Sequence, residues 1–312
     1  MTKDLERSQE NIQKDASCEA CVCDQGGRDP IELPSVLEDT LSLFSDLDFE
    51  TLRKCVRGHE GVVGKNPRAA AIILAGGSGE RFGKEGGKQL VEIAGKPMLT
   101  WSAGAFDAVP EIGLIVVVVP EDRVSEYAQY AIDPFPFVTP VVMAPAGSIR
   151  QESAFSGLEF VPESYEYVVI HDGARPIVSP DLIMHTLNTL KGNIDCDGAI
   201  VAHPAIDTLK IVDSQGVIVG TPDRSSLWNA QTPQVFRAGI YRRAHAMALS
   251  DGFVGTDDSS LIERLGGRVM VVEGKRDNIK LTVPEDYMML AAAVRALAVR
   301  QEQLSHEDVQ GL

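Results

Sequence analysis

The chain has 312 residues, 44% of them hydrophobic and 24% charged, enough for a sizeable core and too apolar for disorder throughout. With 29 Lys+Arg against 45 Asp+Glu, its formal net charge of −16 excludes a general nucleic-acid surface, so any anionic ligand must be met by a local basic cluster. No apolar run approaches a membrane span, Ile112 to Val119 being the longest strong one. Five cysteines make no disulfide framework and fit a reducing cytosol, and residues 1–25 are acidic without a signal-like apolar stretch, so a soluble cytoplasmic protein is expected.

In chain order, a polar leader over residues 1–65 comes first. It carries a helical stripe of Leu37, Leu41, Phe44, Leu47 and Leu52, and a Cys18, Cys21, Cys23 cluster without finger-like partners, read as unliganded thiols. At Asn66-Pro67 the composition changes, and residues 66–300 alternate apolar strand-like runs with helical segments. Strands are expected at Ala70–Leu74, Leu114–Val119, Val138–Met143, Tyr167–Ile170 and Gly198–Ala202. Helices are expected at Met98–Ala108, Glu121–Ala131, Arg150–Leu158 and Pro180–Leu190, the last opened by Ser179 as a cap before Pro180. This alternation predicts an α/β fold with a doubly wound, mostly parallel Rossmann-like sheet. Residues 205–227 break the rhythm: Leu209–Val212, a polar Asp213-Ser214-Gln215-Gly216 turn and Val217–Val219 read as a projecting β-hairpin arm. Thr282-Val283-Pro284-Glu285 reads as a capping box opening the last long helix, and residues 301–312 form a polar tail.

Three segments carry chemistry. The first strand runs into Leu74-Ala75-Gly76-Gly77-Ser78-Gly79-Glu80-Arg81-Phe82-Gly83, followed by Lys88. Glycines let backbone N–H groups approach a phosphate chain, and Arg81 and Lys88 supply charge; the spacing is neither a Walker A loop nor a dinucleotide fingerprint. A second apolar strand ends in His171-Asp172-Gly173-Ala174-Arg175-Pro176, placing Asp172 and Arg175 at the carboxyl edge where open sheets bind ligands. Asp172 there could hold a divalent cation, orient a substrate hydroxyl, or simply pair with Arg175. His171 reads as a packed core histidine. The third segment, Asp277-Asn278-Ile279-Lys280, puts a lysine just before a helix cap, within reach of a phosphate.

Together with Gly147-Ser148-Ile149-Arg150-Gln151-Glu152-Ser153, Asp207-Thr208 and Trp228-Asn229-Ala230-Gln231-Thr232-Pro233-Gln234, these motifs resemble the 2-C-methyl-D-erythritol 4-phosphate cytidylyltransferases over about residues 68–295. The resemblance implies a nucleotidyltransferase that joins CTP and methylerythritol phosphate with release of pyrophosphate, Mg²⁺ bridging phosphate oxygens. Carried over by position, Ala75, Gly76, Gly77, Gly79, Gly147 and Ser153 would bind CTP, while Arg81 and Lys88 would stabilise the reacting centre. Asp172, Arg175, Thr208 and Thr232 would bind the sugar phosphate, and Arg224 and Lys280 would fix it for attack. The resemblance also implies a homodimer through the arm, with Thr208 and Arg224 reaching the partner's site. Asp172, with Asp277 as a second, would contact the metal directly or through water. Thr256-Asp257-Asp258 resembles a further segment lining the pocket. Ser148 and Ile149 stand where the family often has acidic residues. A relative acting on ribitol 5-phosphate or another polyol phosphate would look the same on the nucleotide side, and a silent nucleotide-binding protein is the reading from another class.

Overall fold

The structure is a computed structural model that describes residues 68–77, 87–296 and 298. The leader, its cysteines, Gly79, Arg81 and the tail lie outside the described residues. The centre is a seven-stranded sheet in the order β11-β7-β10-β6-β1-β4-β5. Its strands are β1 (Ala69–Leu74), β4 (Ile112–Val119), β5 (Val141–Pro145), β6 (Tyr167–Asp172), β7 (Gly198–Pro204), β10 (Trp228–Arg237) and β11 (Val269–Glu273). All pairings are parallel except those of β10, which is antiparallel to both β6 and β7. The short β2 (Glu92–Ile93) and β3 (Lys96–Pro97) pair with each other, as do β8 (Ile211–Val212) and β9 (Ile218–Gly220).

Each buried strand serves two faces, because side chains alternate with period two. Ala69, Ala71 and Ile73 of β1 pack in one layer with Leu99 and Phe106 of helix α1 (Met98–Asp107) and with Ile183 and Leu187 of α4 (Pro180–Gly192). Ala70, Ile72 and Leu74 face the other layer, with Ala154 and Leu158 of α3 (Arg150–Glu159), Tyr241 of α5 (Ala238–Ser250) and Leu261 of α6 (Asp258–Arg264). Burying each of the isoleucines and leucines among these contributes about 1.5–3 kcal/mol. Helix α3 sits so close to the sheet that a Cβ at Gly157 would lie 2.5 Å from Ile72 Cγ2, so only glycine permits that approach. Helix α7, across 286–296, adds a third cluster, Leu290 and Val294 packing with Met98, Trp101 and Leu281.

Local chemistry explains where the boundaries depart from the expected ones. Helix α4 is capped as expected, Ser179 Oγ accepting from Leu182 N at 3.2 Å, which offsets roughly 1 kcal/mol of unsatisfied backbone. Strand β5 starts at Val141 rather than Val138, because the amides of Val138 and Thr139 donate instead to the Asp107 carboxylate at the end of α1. The expected helix 121–131 is a composite: a 3₁₀ turn at Glu121–Arg123, the short α2 (Val124–Tyr127) and a π-turn at Ala128–Ile132. The capping box at Thr282 is corrected by one residue. Asp286, not Glu285, accepts from the amides of Thr282 and Val283, at 2.7 and 3.0 Å, while the Thr282 hydroxyl donates to Lys280 O.

Candidate active site

The carboxyl ends of β1, β5 and β6 and the start of α3 surround a crevice of about 610 Å³, within the usual size of small-molecule sites. One wall is backbone: Gly76 and Gly77 after β1, and Gly147 and Ser148 before α3. A Cβ on Gly76 would lie 2.2 Å from Ala146 Cβ, so the two loops approach closely enough that only glycine fits there. Ser153 stands on the first turn of α3, its hydroxyl donating to Ile149 O at 3.0 Å. Ala75 lies beneath this wall, fully buried, its amide donating to Val118 O.

The other wall is charged. Lys88, Arg150, Lys280 and Asp172 line it, three cations against one carboxylate. Lys88, on a 3₁₀ turn (Lys88–Leu90), is largely buried, with Nζ 2.5 Å from Leu281 O. Asp172 Oδ2 lies 3.0 Å from Lys280 Nζ and 3.3 Å from Arg175 Nε, and its Oδ1 lies 3.5 Å from Arg150 Nε. Burial alone would raise the Asp172 pKa, but Lys280, Arg150 and Arg175 outweigh it and hold the carboxyl well below the usual carboxylate range. A locally positive cleft in a chain of net charge −16 is built for an anion.

A buried polar relay holds Asp172. The Asp172 amide donates to Thr232 Oγ1 at 3.0 Å, and Thr232 Oγ1 lies 3.0 Å from His171 Nδ1. His171 Nε2 lies 3.1 Å from the Arg175 carbonyl, which can only accept, so Nε2 carries the proton and Nδ1 accepts from the threonine hydroxyl. Burial pushes the imidazole pKa down to about 4, so His171 is neutral and orienting, as its packing against Phe106 also implies. Arg175 turns away from the crevice and donates from Nη1 to Asn278 O at 2.7 Å. Asn278 in turn donates to Thr232 O, and Gln231 to Lys275 O, so the segment carrying Lys280 is tied to β10.

The expected residues therefore sort by place. Gly76, Gly77, Lys88, Gly147, Ser153, Asp172 and Lys280 come together around the crevice. Arg175 and Thr232 stand behind it, their polar atoms committed to the protein. Thr208 and Arg224 are exposed on the arm, with Arg224 Nη1 bonded to Ile206 O at 2.6 Å, and neither lines the crevice. Asp277 is exposed and does not line it either. Thr256-Asp257-Asp258 does not reach the crevice, which corrects that expectation: Asp257 caps α6 through Ser260 N, and Asp258 is buried beneath Arg150. Arg150 itself went unassigned from sequence; only its place in the Gly147–Ser153 motif marked it.

Among the described residues no three His, Cys, Asp or Glu side chains cluster closely enough to cage a metal. Asp172 is the carboxylate on the crevice wall, and its Oδ1, whose ionic contact with Arg150 is a loose 3.5 Å, is the less tightly held oxygen. This donor set fits a divalent cation that arrives on phosphate oxygens, the usual habit of Mg²⁺.

A Rossmann-like sheet with a glycine-walled, cation-lined crevice at its carboxyl edge defines an α/β nucleotidyltransferase type of site. The family model for 2-C-methyl-D-erythritol 4-phosphate cytidylyltransferase (IspD) matches residues 69–296. Proteins of that name from Syntrophotalea carbinolica and Geotalea uraniireducens are 43% and 39% identical to this chain. The matches span 71% and 74% of this chain and 94% and 98% of the relatives' lengths. The crystal structure of 4-diphosphocytidyl-2C-methyl-D-erythritol synthase from Anaerococcus prevotii superposes with a TM-score of 0.64 at 30% identity, covering 73% of this chain and 98% of that one. The chain belongs to the 2-C-methyl-D-erythritol 4-phosphate cytidylyltransferase family.

Proposed function

We propose that the protein transfers the cytidylyl group of CTP to 2-C-methyl-D-erythritol 4-phosphate, giving 4-diphosphocytidyl-2-C-methyl-D-erythritol and pyrophosphate. The observation that carries this reading is the crevice lined by Lys88, Arg150 and Lys280 beside a wall of glycine backbone, in a chain of this family. The attacking oxygen belongs to the polyol phosphate, which is already ionised. It forms the new bond to the α-phosphorus of CTP while the bond to the bridging α–β oxygen breaks and pyrophosphate leaves. Two anions must be brought together, so the protein's work is alignment and charge stabilisation.

In this assignment the amides of Gly76, Gly77 and Gly147 face the nucleotide, with Ser153 and Ala75 shaping that wall. Gly79 and Arg81, which lie outside the described residues, are assigned to the triphosphate by their place in the sequence motif, Arg81 together with Lys88 stabilising the charge on the α-phosphate and the leaving group. Lys280, steadied by Asp172, meets the attacking phosphate. The metal is proposed to be Mg²⁺, carried by triphosphate oxygens with Asp172 as its protein contact; it would neutralise phosphate charge there. The arm's exposed Ile211, Val212, Val217, Ile218 and Val219 support a homodimer in which Thr208 and Arg224 approach the partner's site. A cytoplasmic location is proposed on the reduced-cysteine composition, and no helix among the described residues is long and apolar enough to cross a membrane.

The test is pyrophosphate release with CTP and Mg²⁺, comparing methylerythritol phosphate with ribitol 5-phosphate. Turnover with methylerythritol phosphate that collapses in Lys88→Ala is expected. Turnover with ribitol phosphate alone would move the protein to another substrate.

A further inference from the structure

Arg150 differs from the other cations of the crevice in what lies behind it. Its Nε faces Asp172 Oδ1 at 3.5 Å, while its Nη1 makes a tighter ion pair, 2.7 Å, with Asp258 Oδ2. Asp258 is 1% exposed and lies in the first turn of α6. Its other oxygen accepts from the Tyr241 hydroxyl at 2.6 Å, and Tyr241 is fully buried, stacked on Phe236 and edge-on to His245. A carboxylate so buried is costly unless paired, and Asp258 does not reach the crevice. Among the described residues its charge meets one cation, Arg150.

The consequence falls on Asp172. Its two oxygens are divided: Oδ2 holds Lys280 and Arg175, and Oδ1 faces Arg150 at a distance too long for a hydrogen bond. An arginine freed from Asp258 would close that gap into a forked pair with Asp172, the preferred geometry of guanidinium and carboxylate. Lys280 and Arg175 would then have to share their anchor with a third cation. We propose that Arg150 is a positioning residue for the transfer, held by Asp258 and Tyr241 so that Asp172 Oδ2 stays with Lys280 and Arg175 and is not drawn into a fork with Arg150. This rests on the reading that Lys280 meets the attacking phosphate.

The experiment is steady-state pyrophosphate release by the full chain and its variants, with melting curves alongside. Asp258→Asn is expected to lower kcat about tenfold, leaving KM for CTP within about twofold, a coupling-sized effect without loss of nucleotide binding. Arg150→Lys should fall similarly, and the double variant should be about as impaired as the worse single one, because both break one link. Losses that multiply, or an unchanged kcat in Asp258→Asn, would overturn the proposal. Should Asp258→Asn fail to fold, Tyr241→Phe decides: it keeps the carboxylate and removes one hydrogen bond. A roughly threefold lower kcat at unchanged folded fraction supports the proposal, and wild-type kcat overturns it. Lys280→Ala separates the two layers of argument. If it turns over normally, the role given to Lys280 falls and the inference with it; if it is impaired while Asp258→Asn is not, the inference alone fails.

Discussion

Lys88 and Gly76 occupy opposite walls of the same crevice, and their substitutions should fail differently. Lys88→Ala removes a charge from the crevice wall, so under the role proposed for it kcat is expected to drop on the order of 10²–10³-fold with little change in melting temperature. Gly76→Ala forces a Cβ against Ala146, so thermal shift should show destabilisation of about 1–3 kcal/mol and a loss of the shift that CTP confers. His171 and His245 make a prediction about pH. Burial lowers both to about 4, whereas in the unfolded chain they titrate near 6.5. Below pH 6.5 the unfolded chain therefore binds protons that the folded one refuses. Stability is full above that pH and falls as pH drops from about 6.5 toward 4, by up to about 3 kcal/mol per histidine. Urea midpoints at pH 7.5 and 5.0 measure this, and His245→Phe should narrow their difference. At this scale the sequence marked Lys88, Asp172 and Lys280, because charge beside glycine or at a strand end is an unusual local pattern. It left Arg150 unmarked, because an arginine opening a helix looks like any solvated residue until Asp172 and Asp258 are folded around it.

The strands that alternate with helices were legible because continuous apolar runs have few other uses. Strand β10 was not: Trp228 to Gln234 is polar and contains Pro233, a composition that argues against a central strand. Its polar side chains are spent on contacts no local pattern encodes, Gln231 on Lys275 O, Thr232 on His171 and Gln234 on Asp257. Helix starts offer a paired test of what such elements contribute. Ser179→Ala, at the cap of α4 away from the crevice, should cost about 1 kcal/mol in a denaturant titration and leave kcat unchanged. Asp286→Ala should cost a similar amount but also raise KM for the polyol phosphate. It frees the Thr282 and Val283 amides one turn from Lys280, and Thr282 lines the crevice.

On the scale of the whole molecule, an arm with four exposed aliphatic residues on two short strands, Ile211, Val212, Ile218 and Val219, has too little packing to stand by burial of its own. If the proposed homodimer forms through the arm, Ile211→Asp together with Ile218→Asp is expected to halve the mass in sedimentation at micromolar concentration, and to lower activity while the melting temperature of the sheet domain moves little; an unchanged mass would overturn the proposed interface. Sequence alone placed the arm correctly, since a polar turn between two aliphatic runs is a strong local signal, but its distance from the crevice of its own chain appears only once β10 is in place.

The antiparallel strand has one more consequence, for the order in which the chain can assemble as it is synthesised. Strands β1, β4, β5 and β6 are complete once Asp172 has emerged, and they pair with one another. Strand β7 follows, yet it has no neighbour in that set: it joins the sheet only through β10 and β11. Until Arg237 leaves the ribosome, β6 therefore keeps an open, apolar edge and β7 waits unpaired. That interval is where a nascent chain is most exposed to aggregation. A ribosome stalled between β7 and β10 should yield a protease-resistant core ending near residue 172, and one stalled after β11 should protect the whole sheet.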